Sequence, residues 1–217
     1  MYALALDGHK QPCRVPTSNA GHCLFTGIAS PMRARLVAGR LTHPDMFSGW
    51  GVRTVASDQR RYNPMSYHNG SVWPHDNALI AAGMARYHMG HHAEHVLQGL
   101  FDAVHWVDLQ RLPELICGFT RMPSAGPTLY PVACAPQAWS AGAVYMLLAA
   151  CLGISIDGPE RRIRFSYPRL PALLETVWIN QLRVGDALVD LELRRHGGDV
   201  GVNVLRRDGA VEVVLVK

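Results

Sequence analysis

The sequence has little charge, and none of it is concentrated. Asp, Glu, Lys and Arg make up 18% of 217 residues, the formal net charge is +4, and basic residues stand singly or in pairs such as Arg60-Arg61 and Arg206-Arg207. Without a basic stripe interleaved with aromatics nothing tracks a phosphate backbone, so nucleic acid is not an expected partner. No CxxC occurs, and the five cysteines, Cys13, Cys23, Cys117, Cys134 and Cys151, are an odd number. That argues against a disulfide framework or a zinc knuckle and fits a reducing, cytoplasmic compartment. The longest apolar run, residues 141–152, falls short of the roughly 20 residues that cross a bilayer. It reads instead as a buried helix, and no membrane association is expected. The first residues, MYALALDGHKQP, lack a cationic stretch, an apolar stretch and a small-residue cleavage site in succession, so no secretion signal is read there. GxSxG, P-loop and dinucleotide fingerprints are missing too, and no cofactor or metal is implied.

What is present is the 48% hydrophobic composition of an ordinary globular chain, long enough for one domain or one and a half. Its character changes once. Residues up to about 153 carry helical signals and those from about 161 carry strand signals, which puts a boundary near Asp157-Gly158-Pro159 and divides the chain into 1–157 and 158–217. Ser30-Pro31 is a cap followed by proline at the first helical position, and Met32, Leu36, Val37 and Leu41 follow at helical spacing. A second helix begins near Trp73-Pro74, with Asp76 in its first turn and Leu79, Ile80, Gly83, Met84 and Tyr87 on one face. Ala93, Val96, Leu97, Leu100, Phe101, Val104 and Val107 keep an i, i+3, i+4 pattern over about four turns. Residues 137–152 are apolar on nearly all sides and are expected to be enclosed by other helices. The tail reads as an antiparallel meander of 188–195, 200–207 and 211–217, turning at Gly197-Gly198 and Asp208-Gly209, with Val189, Leu191 and Leu193 on a buried face.

Two long connections, residues 44–72 and 108–136, are rich in Gly, Pro, Trp and His, and loops of that length in a compact domain usually build a site. The segment YHNGSVWPHDN at 67–77 packs aromatics, amides, a histidine and an acid into a turn that starts a helix. Sugars stack their apolar faces on aromatics while their hydroxyls pair with Asn, His, Asp and Arg, and this segment offers that mixture. FSGWGVRT at 47–54 repeats the theme with Trp50 and Arg53. The alternative is that Trp50 and Trp73 are core aromatics whose indole N–H groups find partners. Glycosidic bonds are cleaved by two carboxylates, and Glu114 is the only acid between Gln110 and Pro136. Among Pro113, Leu115, Ile116 and Cys117 it reads either as a solvated loop residue or as a partly desolvated base. Asp76 reads as an acid catalyst or a helix cap, and His88, His91, His92 and His95 as metal ligands or a solvated turn interrupted by Gly90.

Five segments in order, SNAGH at 18–22, FSGWGVRT, YHNGSVWPHDN, PELICGF at 113–119 and YPVACAPQAWSAGA at 130–143, resemble the C-terminal part of bacterial amylo-α-1,6-glucosidase, or glycogen-debranching-like, proteins. The resemblance implies a mainly α fold, a partial (α/α)6 six-hairpin toroid over 1–157 followed by a small antiparallel β tail packed on it. It implies an inverting, exo-acting hydrolase of α-linked glucosides, with maltooligosaccharide or glycogen as the class of substrate. Glu114 becomes the general base. Tyr67, His68, Asn69 and Trp73 would line the −1 subsite with Trp50 and Arg53, and Gln137 and Trp139 would close the pocket floor. The general acid, an aspartate in a Trp-x-Asp segment, is expected upstream of SNAGH, on an N-terminal part of the toroid that this sequence does not include, so this portion alone is expected to be weakly active or inactive. A non-catalytic carbohydrate-binding module with the same pocket is the competing reading, and a metal protein built on the histidines is a third.

Overall fold

Local signals start two helices, those opening at Pro31 and Pro74, at the residues the sequence suggests. The computed structural model describes residues 1–217. After α1 (Asn19–Phe25), helix α2 (Pro31–Leu41) begins with Pro31 at its first position, where the backbone N–H of Arg33 donates to the Ser30 hydroxyl. Its buried face is Ala34, Val37, Ala38 and Leu41, whereas Met32 and Leu36 are exposed. Helix α3 (Pro74–Arg86) again carries proline at its start and Asp76 in its first turn. Helix α4 (Gly90–Val104) begins at Gly90, so that glycine opens the helix and does not interrupt it. Ala93, Val96, Leu97 and Leu100 face inward as their spacing suggests, while Phe101 lies outside. A single 3-10 turn (Asp108–Gln110) leads into the second long connection, and α5 (Ala138–Leu152) follows it.

The expected mainly α toroid is not what forms. The chain has five α-helices and six strands, the strands forming two three-stranded sheets. It divides into two compact units, Met1–Leu147 and Leu148–Lys217. Within the first, α3 packs between α1 and α4, and α2 rests on α1. Nor is α5 enclosed by other helices. Ser140, Ala143, Leu147, Cys151 and Leu152 are buried, but Trp139, Val144, Tyr145 and Met146 are exposed. An apolar sequence does not by itself supply neighbours for every side of a helix.

In the second unit, β1 (Ile154–Asp157) pairs antiparallel with β2 (Arg162–Ser166). Strands β3 (Thr176–Val184), β4 (Ala187–His196) and β5 (Asp199–Asp208) form an antiparallel meander in that order. Ala187, Val189, Leu191 and Leu193 alternate inward along β4, as the period-2 pattern requires, and join Ile163, Phe165, Leu170, Val200 and Val211 in one core. The last strand departs from the expected meander. β6 (Glu212–Val216) leaves β5 and pairs parallel with β2, the Glu212 N–H donating to Arg161 and the Tyr167 N–H to Val216. β3 takes the place beside β4 that the sequence reading left empty. Its polar, half-exposed pattern and the register shift between Ile179 and Leu182 weaken its alternation.

Candidate active site

The two long connections are stitched to each other by single bridges. Arg53 pairs with Val72, Val72 with Ile116, and Ile116 with Leu129, so four loop segments lie side by side without forming regular strands. Gly118 approaches the Gly70 carbonyl so closely that a Cβ would lie 1.7 Å from its oxygen, which no other residue accommodates. Arg53 is fully buried in this layer. Its guanidinium donates to the carbonyls of Gly118, Pro44 and Asp45 and to the Thr120 hydroxyl. Its setting is a brace between loops. Asn77, also buried, accepts from the Val52 N–H and donates to the Val52 and Trp73 carbonyls, fixing the start of α3 against residues 47–54.

This stitching carries Glu114 to the segment 67–77. Glu114 is only 6% exposed. The Tyr67 hydroxyl donates to Oε1 at 2.6 Å and the Cys134 N–H to Oε2 at 3.2 Å, while the Glu114 N–H donates to the Cys134 carbonyl at 2.9 Å. Hydrogen bonds to the ionised form, Tyr67 first and Cys134 next, hold the carboxyl below its ordinary range. The same bond, with burial, pushes the Tyr67 phenol up to about 12, so it remains a donor at neutral pH. Ser140, in the first turn of α5, donates to the Pro113 carbonyl at 2.7 Å and ties that helix to the Glu114 segment.

Aromatic rings surround this pair. Tyr67 meets Trp73 edge to face at 4.7 Å and Tyr130 at 5.6 Å, and His68 stacks parallel to Trp73 at 5.8 Å. His75 lies between Trp73 at 5.7 Å and Trp139 at 4.8 Å. The Trp73 indole N–H is satisfied within its own segment, by the Tyr67 carbonyl and the Ser71 hydroxyl, and the residue is buried, so it backs the neighbouring rings and offers no donor. His75 and Tyr130 were not singled out in the sequence, although they sit inside the segments 67–77 and 130–143; their ring neighbours are decided by packing. Burial pushes the His75 imidazole down and keeps it neutral.

Of the other residues read from the sequence, Gln137 precedes α5, its side-chain oxygen accepting from the Ala138 N–H, and Asn69 is exposed. Trp50 is placed elsewhere. It is 2% exposed, and its ring is covered by the Arg121 guanidinium at 4.5 Å, away from the rings around Glu114. Asp76 is buried, with Oδ1 2.6 Å from His22 Nε2, a bond that raises the His22 pKa. Of the four histidines, His91 and His92 lie ring to ring at 4.1 Å, His92 reaches the Thr42 hydroxyl and His95 the Phe47 ring, and no three His, Cys, Asp or Glu side chains converge as metal ligands.

The model of the mannosylglycerate hydrolase MGH1-like glycoside hydrolase domain matches residues 2–114, just over half of the chain. This chain belongs to that family. The match supports a glycoside hydrolase and does not extend to the narrower amylo-α-1,6-glucosidase resemblance. Two solved structures of the GH63 mannosylglycerate hydrolase from Thermus thermophilus are similar to it. The complex with glucose has a TM-score of 0.50 and 21% identity over 64% of this chain and 32% of that one. The complex with Tris has a TM-score of 0.50 and 19% identity over 64% of this chain and 30% of that one. The MGH1-like chain therefore spans about a third of these relatives' length, and the likeness concerns fold. No curated protein matches it. No helix is long and apolar enough to cross a membrane.

Proposed function

We propose that Glu114 is the general base of an inverting glycoside hydrolase and that Tyr67, His68, His75 and Trp139, backed by the buried Trp73, form the wall against which the sugar stacks. The observation that carries this reading is the Glu114 carboxylate, buried, held ionised by the Tyr67 hydroxyl and the Cys134 N–H, and set beside that aromatic cluster. An ionised carboxylate next to a ring-shaped apolar surface can take a proton from water as the water attacks the anomeric carbon. Tyr67 orients the carboxylate and, with its phenol protonated, does not compete for the proton. An inverting enzyme needs a second carboxyl, about 6.5 to 9.5 Å from the first, to protonate the leaving oxygen. In this reading that acid is carried outside residues 1–217.

The substrate is an α-linked glycoside. The activity in the family's name favours a mannosyl unit on glycerate, while an α-glucoside of the maltooligosaccharide or glycogen type is the reading from motif resemblance. Five cysteines with no disulfide among them suit a cytoplasmic setting. The test is an activity panel on the longer protein that contains this chain, with mannosylglycerate, maltotriose and an α-1,6-branched oligosaccharide, followed by NMR of the first anomer released. The proposal expects β-anomer from an α-glycoside, and loss of turnover in Glu114→Gln with saccharide binding retained. Undiminished turnover in that variant, or release of the α-anomer, overturns it. Binding without any release of sugar by the wild-type protein would favour a non-catalytic module.

A further inference from the structure

The aromatic segment at 47–54 does not join the rings around Glu114, and what it supports instead is a second cleft. Gly49 has φ +95, and a Cβ there would lie 2.5 Å from the Arg121 Cβ, so the Arg121 stem rests directly on this glycine. The Arg121 N–H donates to the Ser48 carbonyl at 2.7 Å, and its guanidinium lies over the Trp50 ring at 4.5 Å. Nη1 donates to Asp102, whose other oxygen accepts from Gln98 at 2.7 Å. Nε and Nη2 of Arg121 are left for a further acceptor. Beside this group stands Trp106, 53% exposed, with Gly126 laid against its ring; a Cβ at 126 would come within 2.7 Å of the indole. Trp50, Trp106, Arg121, Met122 and Ser124 line a shallow cleft of about 320 Å³.

We infer that this cleft is a second saccharide site, in which a neutral pyranose ring stacks on Trp106 and its hydroxyls pair with Arg121 and Asp102. Three features select a sugar. The indole is fixed from one side, so it presents a rigid flat surface to the apolar face of a ring. Arg121 and Asp102 compensate each other's charge, so the cleft does not favour an anion or a cation. Together they offer donors and an acceptor side by side, which matches hydroxyls that both donate and accept. Arg121 is also pre-ordered by Trp50, Ser48 and Asp102, which lowers the ordering cost of binding.

The position fits a substrate longer than one unit. α3 starts beside the Glu114 cluster and runs away from it, and α4 returns antiparallel after the turn at 87–89, so Trp106, just beyond the end of α4, lies at the same end of the first unit as Glu114. A glycan held at Trp106 is thereby kept near the end of the unit that carries Glu114.

The test is residue-resolved tryptophan oxidation by N-bromosuccinimide, read by mass spectrometry on the full chain, with maltotriose and with methyl α-mannopyranoside as probes. At least one of the two is expected to slow Trp106 oxidation saturably, by about fivefold at several times its Kd. Arg121→Ala, with folding verified by circular dichroism, is expected to abolish that protection, while Glu114→Gln leaves it intact. The inference is overturned if neither saccharide protects Trp106, or if Trp106 is protected by raising the protein concentration without sugar, which would make the cleft a contact between copies of this chain. Because the readout is at Trp106 and not in turnover, its failure leaves the assignment of Glu114 untouched.

Discussion

The two compact units bury different kinds of residue. All nine buried polar or charged residues, among them Arg53, Asp76, Asn77, Glu114 and Ser140, lie in the first unit, whereas the core of the second is made of Val, Leu, Ile, Ala and Phe. The second unit satisfies its backbone through strand ladders, a solution that needs only alternating apolar side chains. The first has long irregular connections whose backbone groups have no ladder, so side chains take over. Arg53 meets three carbonyls, Asn77 bridges residue 52 to the start of α3, and Ser140 holds Pro113. Irregular backbone is what allows Tyr67, Glu114 and Cys134 to meet, and buried polar side chains are the means of keeping it in place.

The largest expected effect separates chemistry from support. Glu114→Gln should reduce kcat by about 10²- to 10⁴-fold, the range of a lost general base, with little change in thermal unfolding. A parallel collapse of unfolding temperature would mean that Glu114 is only another brace. Next is support without chemistry: Arg53→Met strands buried carbonyls that cost about 1–3 kcal/mol each, so a loss of about 3 kcal/mol or more is expected. Hydrogen exchange should quicken over residues 44–72 and 108–121, with the β4 ladder unchanged.

The counterpart in the second unit is Leu191→Ala, at a fully buried position of β4. It should cost about 2–5 kcal/mol, with faster exchange confined to β3, β4 and β5. Loss of protection around Glu114 in this variant would show that the two units do not unfold separately.

Tyr67→Phe sharpens the comparison within the site. Without the phenol the Glu114 carboxyl rises toward its ordinary value, so the acid limb of the pH–rate profile should move to higher pH, with a loss of turnover on the order of tenfold from misorientation. The sign for stability follows from the same bond. A carboxyl lowered by folding stabilises above its unfolded pKa, and that contribution disappears as pH falls through the lowered folded value. An unmoved acid limb would assign the titration to another group. The smallest effect belongs to Tyr145→Ser on the uncovered side of α5, which should stay within about 0.5 kcal/mol in chemical denaturation.

Which parts were legible follows from the range of the forces involved. The starts of α2 and α3 are written locally, in a proline at the first turn and, for α2, a serine cap. The buried face of β4 is written in strict alternation. The mainly α reading failed because motif resemblance and an apolar run speak for single helices and not for how many neighbours each one finds. The place of β6 was illegible because its apolar pattern serves equally well beside β5 or β2, and only the Arg162 to Ser166 edge decides between them. Trp50 and Arg53 read as pocket residues by type, yet their settings depend on Arg121, Gly118 and Thr120, more than 60 residues away.

By itself the sequence determined that residue 114 is the single acid in its loop, that aromatics and amides cluster at 67–77, and that the chain belongs among MGH1-like glycoside hydrolases. Tertiary structure alone decided that Tyr67 reaches Glu114 across 47 residues, that Trp73, His75 and Trp139 share one cluster, and that Trp50 serves Arg121 instead. Caps and periodicity act within a turn or two of chain and are therefore visible in order. Hydrogen bonds and ring contacts between loops depend on which distant backbone comes alongside, and that choice is made only when the whole unit packs.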